Sequence, residues 1–303
     1  MKTSNWSMGH RFLGSRVEFS NPSDYEEVLL KEFVIVEPQK RKSMIIEQIQ
    51  SLENQNGWVI PVDEALLEEV NNLVEYPTAL FGKFEEEFLE LPEEVLITSM
   101  KEHQRYFPVK ASNGTLLPYF VTVRNGNDEH IENVARGNEK VLRARLADAD
   151  FFYREDQKAE IGEALERLKT IVYHEDIGSL AEKVARVRRL TNWLTERLQF
   201  NTEQRSDADR AAEICKFDLV SNMVNEFPEL QGFMGEKYAL QKGEKEAVAK
   251  AIDEHYMPRN AEDAAPASDV GAALSIADKV DTIASFFAIG MIPSGSQDPY
   301  ALR

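Results

Sequence analysis

The sequence predicts an α+β chain of two domains, a mixed α/β domain over residues 1–165 followed by an all-helical domain over residues 166–303. Three observations carry that division. Before residue 165 the apolar residues switch between strand-like alternation and helical spacing, and after it the helical period holds nearly throughout. The run "RYFPVKASNGTLLPYFVTVRNG" (105–126) reads as two strands around the Asn113-Gly114 turn, a strong hairpin signal. In the second half, Pro and Gly break the chain at "EFPELQGFMG" (226–235) and "MPRNAEDAAPAS" (257–268), leaving pieces of helix length between them.

In chain order, "RKSMIIEQIQSLENQNG" (41–57) spaces Met44, Ile45, Ile49 and Leu52 helically and ends on Gly57, a C-terminal stop. "WVIPV" is extended, and "DEALLEEVNNLV" (63–74) starts a helix on the cap Asp63. Six glutamates in "EEEFLELPEE" (85–94) read as a solvated loop and helix start. Pro108 and Pro118 are expected at sheet edges or strand ends. A long helix over 129–157 places Ile131, Val134, Val141, Leu142, Leu146, Ala149 and Phe152 on one side. Arg136, Lys140 and Arg143 gather on the other, a cationic stripe able to follow a phosphate backbone or simply to face water. Arg145 points into the apolar sector, where it needs a carboxylate or an inter-domain contact. The junction falls near 158–170. Beyond it, 179–198 carries Val184, Val187, Thr191, Leu194 and Leu198 on one face, and 206–226, 243–256 and 268–289 read as further helices.

Hydrophobic residues make up 43 % and charged residues 29 %, which suits packed, soluble domains. No run approaches the roughly 20 apolar residues of a membrane span, and "MKTSNWSMGHRF" has no secretory core, so no membrane partner is expected. The one cysteine, Cys215, lies in an apolar helical pattern and points to a reducing, cytoplasmic setting. A net charge of −18 argues against general affinity for nucleic acid and confines any such contact to local basic clusters.

The stretch "AAEICKFDLVSNMV" (211–224) resembles the helix of an HD-type metal-dependent phosphohydrolase, in which two His and two Asp from separate helices hold a metal. Lys183, in "KVARV", stands where the first His belongs; Phe217-Asp218 stands for the His-Asp pair; Asp278, in "LSIADKVDT", matches the late Asp. Lysine brings a positive charge and phenylalanine no lone pair, so no metal site and no catalytic residue is expected. Lys183 is instead expected to turn inward and pair with Asp218 or Asp278, and Asp218 to bond Lys183 or a backbone group. His255, on an apolar face with Val248 and Ile252, reads as a satisfied core residue. No Gly-rich phosphate loop, H-E-x-x-H, C-x-x-C or G-x-S-x-G motif is present.

The strings "GHRFLG" (9–14), "LVEYPTALFGKFEEEFLELPEEVLITSMKEHQRYFPV" (73–109), "TVRNG" (122–126), "GNEKVLRARLADADFFY" (137–153), "DLVSNMVNEFPELQGFMG" (218–235), "EHYMP" (254–258), "LSIADKVDT" (274–282) and "IPSGSQDPYALR" (292–303) resemble, in order, the β subunit of bacterial tetrameric glycyl–tRNA synthetase. The resemblance implies a first domain similar to the editing-type domain of phenylalanyl–tRNA synthetase β subunits and a second, degenerate HD-like domain. It implies a central fragment: the family's β subunit is longer, and "DPYALR" falls inside a motif that normally continues with a further Arg. It also implies that ATP-dependent glycine activation belongs to a separate α subunit, so this stretch uses no cofactor. Its partners would be that α subunit, tRNA(Gly) and a second β subunit in an α2β2 complex, with Arg136, Lys140 and Arg143 as candidate tRNA contacts. Two other readings stay open: a phosphohydrolase with a site rebuilt from Asp218, Asp278 and His255, and a purely structural assembly module.

Overall fold

A computed structural model describes residues 4–294 together with 298 and 302. Apart from those last two residues, the run "DPYALR" lies outside the described residues. The chain is mixed α and β and divides into two compact units, Met1–Asp150 and Phe151–Arg303.

The first unit opens with a hairpin of β1 (Trp6–Met8) and β2 (Arg16–Glu18), followed by α1 (Tyr25–Lys31), α2 (Pro38–Asn56), α3 (Glu64–Leu73) and β3 (Pro77–Lys83). Then come α4 (Glu93–Thr98), β4 (Phe107–Lys110), β5 (Leu116–Asn125) and α5 (Ile131–Asp156). Helix α2 ends at Gly57 with φ 69, a left-handed conformation that costs glycine little. Helix α3 begins where the Asp63 carboxylate accepts from the Leu66 amide at 2.9 Å.

The sheet runs β3-β5-β4, antiparallel throughout. One face buries Phe107, Val109 and Val121 against Ile45 and Ile49 of α2 and Leu66, Leu67 and Val70 of α3. On the other, Phe120 stacks on Tyr106 at 4.5 Å, and the Tyr106 hydroxyl donates to Asn138 of α5 at 2.8 Å. The outer edge of β3 is occupied by side chains: Gln48 donates to the Pro77 carbonyl at 3.1 Å and accepts from the Ala79 amide at 2.7 Å, and Glu139 accepts from the Lys83 amide at 3.0 Å. That protects an edge otherwise open to pairing with another strand.

The second unit holds α6 (Ile161–Leu168), β6 (Val172–His174), β7 (Gly178–Ser179), α7 (Leu180–Arg197), α8 (Thr202–Ile214), α9 (Asn222–Glu226), α10 (Phe233–Gln241), α11 (Glu246–Glu254) and α12 (Asp269–Ala288). Helix α7 starts with a capping box, Ser179 on the Glu182 amide and Glu182 on the Ser179 amide.

Several expectations are corrected. Pro118 lies within the central strand β5, not at an edge; the β3 ladder ends at Lys83↔Tyr119, one residue short of it, so its missing N–H breaks no bond on that side. Val141 is 48 % exposed, because it is turned about 100° from its buried neighbour Leu142. Leu198, past the end of α7, is also exposed. The second unit is not wholly helical, since β6 and β7 form a small antiparallel ladder ahead of α7. The helix expected over 206–226 is broken after Ile214 by a 3-10 turn at Phe217–Val220, and α9 restarts on the cap Ser221.

The compact units divide inside α5, earlier than the change of periodicity at 165. The last turn of that helix belongs to the second unit, where Asp156 accepts from the Asn222 and Met223 amides, both at 2.8 Å, and from the Tyr238 hydroxyl at 3.1 Å.

Candidate functional site: a buried cage of lysines and carboxylates

Lys183, on the inner face of α7, is 3 % exposed. Its ammonium group stands 3.0 Å from Asp278 Oδ1 and 3.4 Å from Asp281 Oδ2, donates to the Thr282 hydroxyl at 2.7 Å, and lies 4.9 Å from the Tyr173 ring. The approach to Asp278 Oδ1 is an ion-pair contact rather than an aligned hydrogen bond. Asp281 is held from its other side by Arg186, at 2.7 and 3.1 Å.

A second lysine completes the cage. Lys216, also buried, donates to Asp278 Oδ2 at 3.0 Å, meets His255 Nε2 at 2.8 Å, and sits 4.0 Å over the Tyr256 ring. Both oxygens of Asp278 therefore face ammonium groups. Burial alone would push the Asp278 pKa up; Lys216 and Lys183 override it and hold the carboxyl below its ordinary range. Burial works against the Lys216 charge, but Tyr256 and Asp278 outweigh it and raise its pKa. His255 is driven well below its ordinary value by burial and by Lys216, so the ring is neutral. Its Nδ1 carries the proton to the Ile252 carbonyl, which leaves Nε2 to accept from Lys216. Cys215 is fully buried, and burial pushes its thiol up to about 12, an inert side chain rather than a nucleophile.

The elements that hold these groups are tied together locally. Glu254, at the end of α11, accepts from the Ala267 and Ser268 amides at 3.2 Å, fixing His255 and the start of α12, which carries Asp278. Asp218 is fully buried and does not pair with Lys183; its Oδ2 accepts from the Gly232 amide at 2.7 Å, and its Oδ1 has no partner among the described residues. Burial raises its pKa to about 6 against the pull of the Gly232 amide and Lys216. A Cβ at Gly235 would meet Ile252 at 2.7 Å and Asp218 Oδ2 at 3.0 Å, so only glycine leaves that carboxylate its place. Phe217 is buried on the side of α6, lining a small cavity with Ile161, Ala164 and Tyr238.

Of the residues singled out in the sequence, the structure thus brings Lys183, Asp278 and His255 into one cluster, with Asp218 beside it and Phe217 turned elsewhere. Lys216, Tyr256 and Asp281 were not anticipated. The signal for Lys216 is a lone lysine inside the apolar run "AAEICKFDLV". The cage does not fit a cation. Both oxygens of its most acidic carboxylate are matched by ammonium groups, its imidazole nitrogen accepts from a third bond of that kind, and among the described residues no three His, Cys, Asp or Glu converge as ligands.

The candidate RNA contacts lie in the first unit. Arg136, Lys140 and Arg143 are all exposed on α5. Arg136 bonds the Asn133 carboxamide, and Arg143 pairs with Glu85. Arg145 is half-buried.

The family model described as "Glycyl-tRNA synthetase beta subunit" matches residues 1–303, and the chain belongs to that family. It is similar to the glycine–tRNA ligase β subunit of Bacillus subtilis (strain 168), 61 % identical over 297 residues, which is 98 % of this chain and 44 % of the relative. The β subunit of Shouchella clausii (strain KSM-K16) is 56 % identical over 303 residues, 100 % of this chain and 44 % of the relative. That of Listeria welshimeri serovar 6b is 57 % identical over the same 303 residues and the same shares. The chain spans less than half the length of these curated relatives.

Proposed function

We propose that this chain is a non-catalytic part of a glycine–tRNA ligase β subunit that helps hold tRNA(Gly) and assemble with a catalytic α subunit in an α2β2 complex. ATP is consumed by the α subunit, in the cytoplasm, and this chain uses no cofactor. The reading is supported by family membership and by one observation above all: two buried lysines take both oxygens of Asp278, and one of them also meets a neutral histidine. On this reading the second unit is an HD-like helical domain whose metal charge has been replaced by Lys183 and Lys216. The first unit is an α/β domain of the editing type known from phenylalanyl–tRNA synthetase β subunits. Proofreading is not its task, because a pocket that excludes everything larger than glycine leaves little to correct.

Arg136, Lys140 and Arg143 carry tRNA backbone contacts. The Arg143–Glu85 pair is solvent-exposed and holds it weakly, so a phosphate can take the carboxylate's place. The test is tRNA affinity of the α–β complex against salt, wild type beside the variant with all three changed to Ala. Loss of three phosphate contacts lowers the salt slope by about 2–3 units and weakens many RNAs alike. An unchanged slope would remove these residues from the interface.

A further inference from the structure

The geometry points to the β1–β2 hairpin as a nucleotide-binding arm: Phe12 and Arg11 at its tip, with Trp6 and Arg16 on its exposed face, take an unpaired nucleotide of the RNA by stacking and phosphate pairing. This rests on the RNA-holding role argued above and assigns it a site outside α5.

Paired positions Trp6↔Glu18 and Met8↔Arg16 put these four side chains on one face of the hairpin. Trp6 is 41 %, Met8 60 % and Phe12 82 % exposed. Each aromatic ring has a guanidinium beside it, Arg16 at 4.4 Å from the Trp6 ring and Arg11 at 5.4 Å from the Phe12 ring.

The tip is held in place. His10 is 2 % exposed, and its Nδ1 accepts from the Phe12 and Leu13 amides, both at 3.3 Å. The Gly9 amide donates to the Ser15 carbonyl, the Gly14 amide to His10, and the His10 amide to Glu32, all at 2.8 Å. A Cβ at Gly9 would come within 2.5 Å of Glu32, and one at Gly14 within 2.5 Å of the His10 nitrogen, so the turn closes tightly only with glycine at both ends. A phenylalanine on so well-anchored a turn is displayed to water by construction, at a hydrophobic cost that binding would recover.

The charge fits a polyanion. Residues 4–17 contain two arginines and no carboxylate, in a chain of net −18. Of the nearby acids, Glu18 pairs with Arg16 at 3.2 Å in solvent, and Glu32 accepts from the Ser15 amide and hydroxyl at 2.6 and 3.0 Å. Arg11 makes no ion pair among the described residues. Rings interleaved with guanidinium groups match bases and phosphates, whereas a protein partner favours a continuous apolar patch.

The experiment measures tRNA binding by the α–β complex carrying Phe12→Ala, Phe12→Leu, Phe12→Trp or Arg11→Gln, with subunit assembly followed by sedimentation. A stacked base predicts that Phe12→Ala and Phe12→Leu each weaken binding by about 5- to 100-fold while Phe12→Trp retains it. Arg11→Gln lowers the salt slope by about 1 unit. Wild-type affinity in all four variants overturns the hairpin site and leaves the wider RNA role standing. A Phe12→Leu variant that binds like wild type, or variants that lose subunit assembly while keeping tRNA affinity, overturns it in favour of a protein contact. A wild-type complex that binds no tRNA overturns both readings together.

Discussion

Replacing Asp278 by Asn removes the one negative charge that two buried ammonium groups share. Lys183 keeps Asp281 at 3.4 Å, but Lys216 is left with a neutral imidazole and an aromatic ring. Removing one partner of a buried pair costs about 3–5 kcal/mol, and the upper end applies here because both Asp278 oxygens are in use. That is a large share of the about 5–15 kcal/mol that holds a domain folded. In urea it shifts the midpoint of the second unit by about 1–5 M. Hydrogen exchange at the α7 and α12 amides reads that unit apart from the first. The same argument predicts rescue: Lys216→Met added to Asp278→Asn removes the stranded ammonium, so the double variant costs clearly less than the sum of the single ones. An Asp278→Asn cost below about 1 kcal/mol, or strict additivity with Lys216→Met, would refute the idea that these groups neutralise each other.

Asp218 supplies a pH dependence of definite sign. Its pKa is raised from 3.8 to about 6, so its contribution is fully present below 3.8 and is lost as pH rises through about 6. At about 1.4 kcal/mol per pH unit the loss is about 3 kcal/mol. Asp218→Asn stays neutral and keeps an acceptor for the Gly232 amide, so urea titrations should show it gaining on wild type between pH 4 and 7; parallel curves would contradict a carboxyl whose pKa burial has raised. His255 acts in the opposite direction in the same window, but it is common to both proteins and cancels. Limited proteolysis should nick first within 257–268, which is largely exposed and lies outside any helix, or near 157–160; early cuts inside α7 or α8 would count against two compact units joined as described.

Local signals were legible wherever the cause is local. Gly57 and Asp63 mark helix ends through their own backbone or side-chain bonds, and the Asn113-Gly114 turn sets the β4–β5 pairing from four residues of chain. The inward turn of Lys183 followed from the spacing of Val184, Val187 and Thr191 on α7. The break after Ile214 was not legible. It depends on Asp218 bonding Gly232 and on Asp156 holding the amides of Asn222 and Met223, contacts that join distant parts of the sequence. Lys216 was missed for the same reason. Its burial is tolerable only because α11 brings His255 and Tyr256, and α12 brings Asp278, to its ammonium group. A lysine read by itself belongs at the surface.

The most direct test of the central claim is titration of the purified chain with Mn²⁺, Zn²⁺ and Mg²⁺, with nucleotide hydrolysis assayed in the same samples. If Lys183 and Lys216 stand in for a metal, no cation binds stoichiometrically at the cage and no hydrolysis accompanies it. One metal ion per chain, lost on Asp278→Asn and coupled to hydrolysis of a nucleotide, would contradict the account.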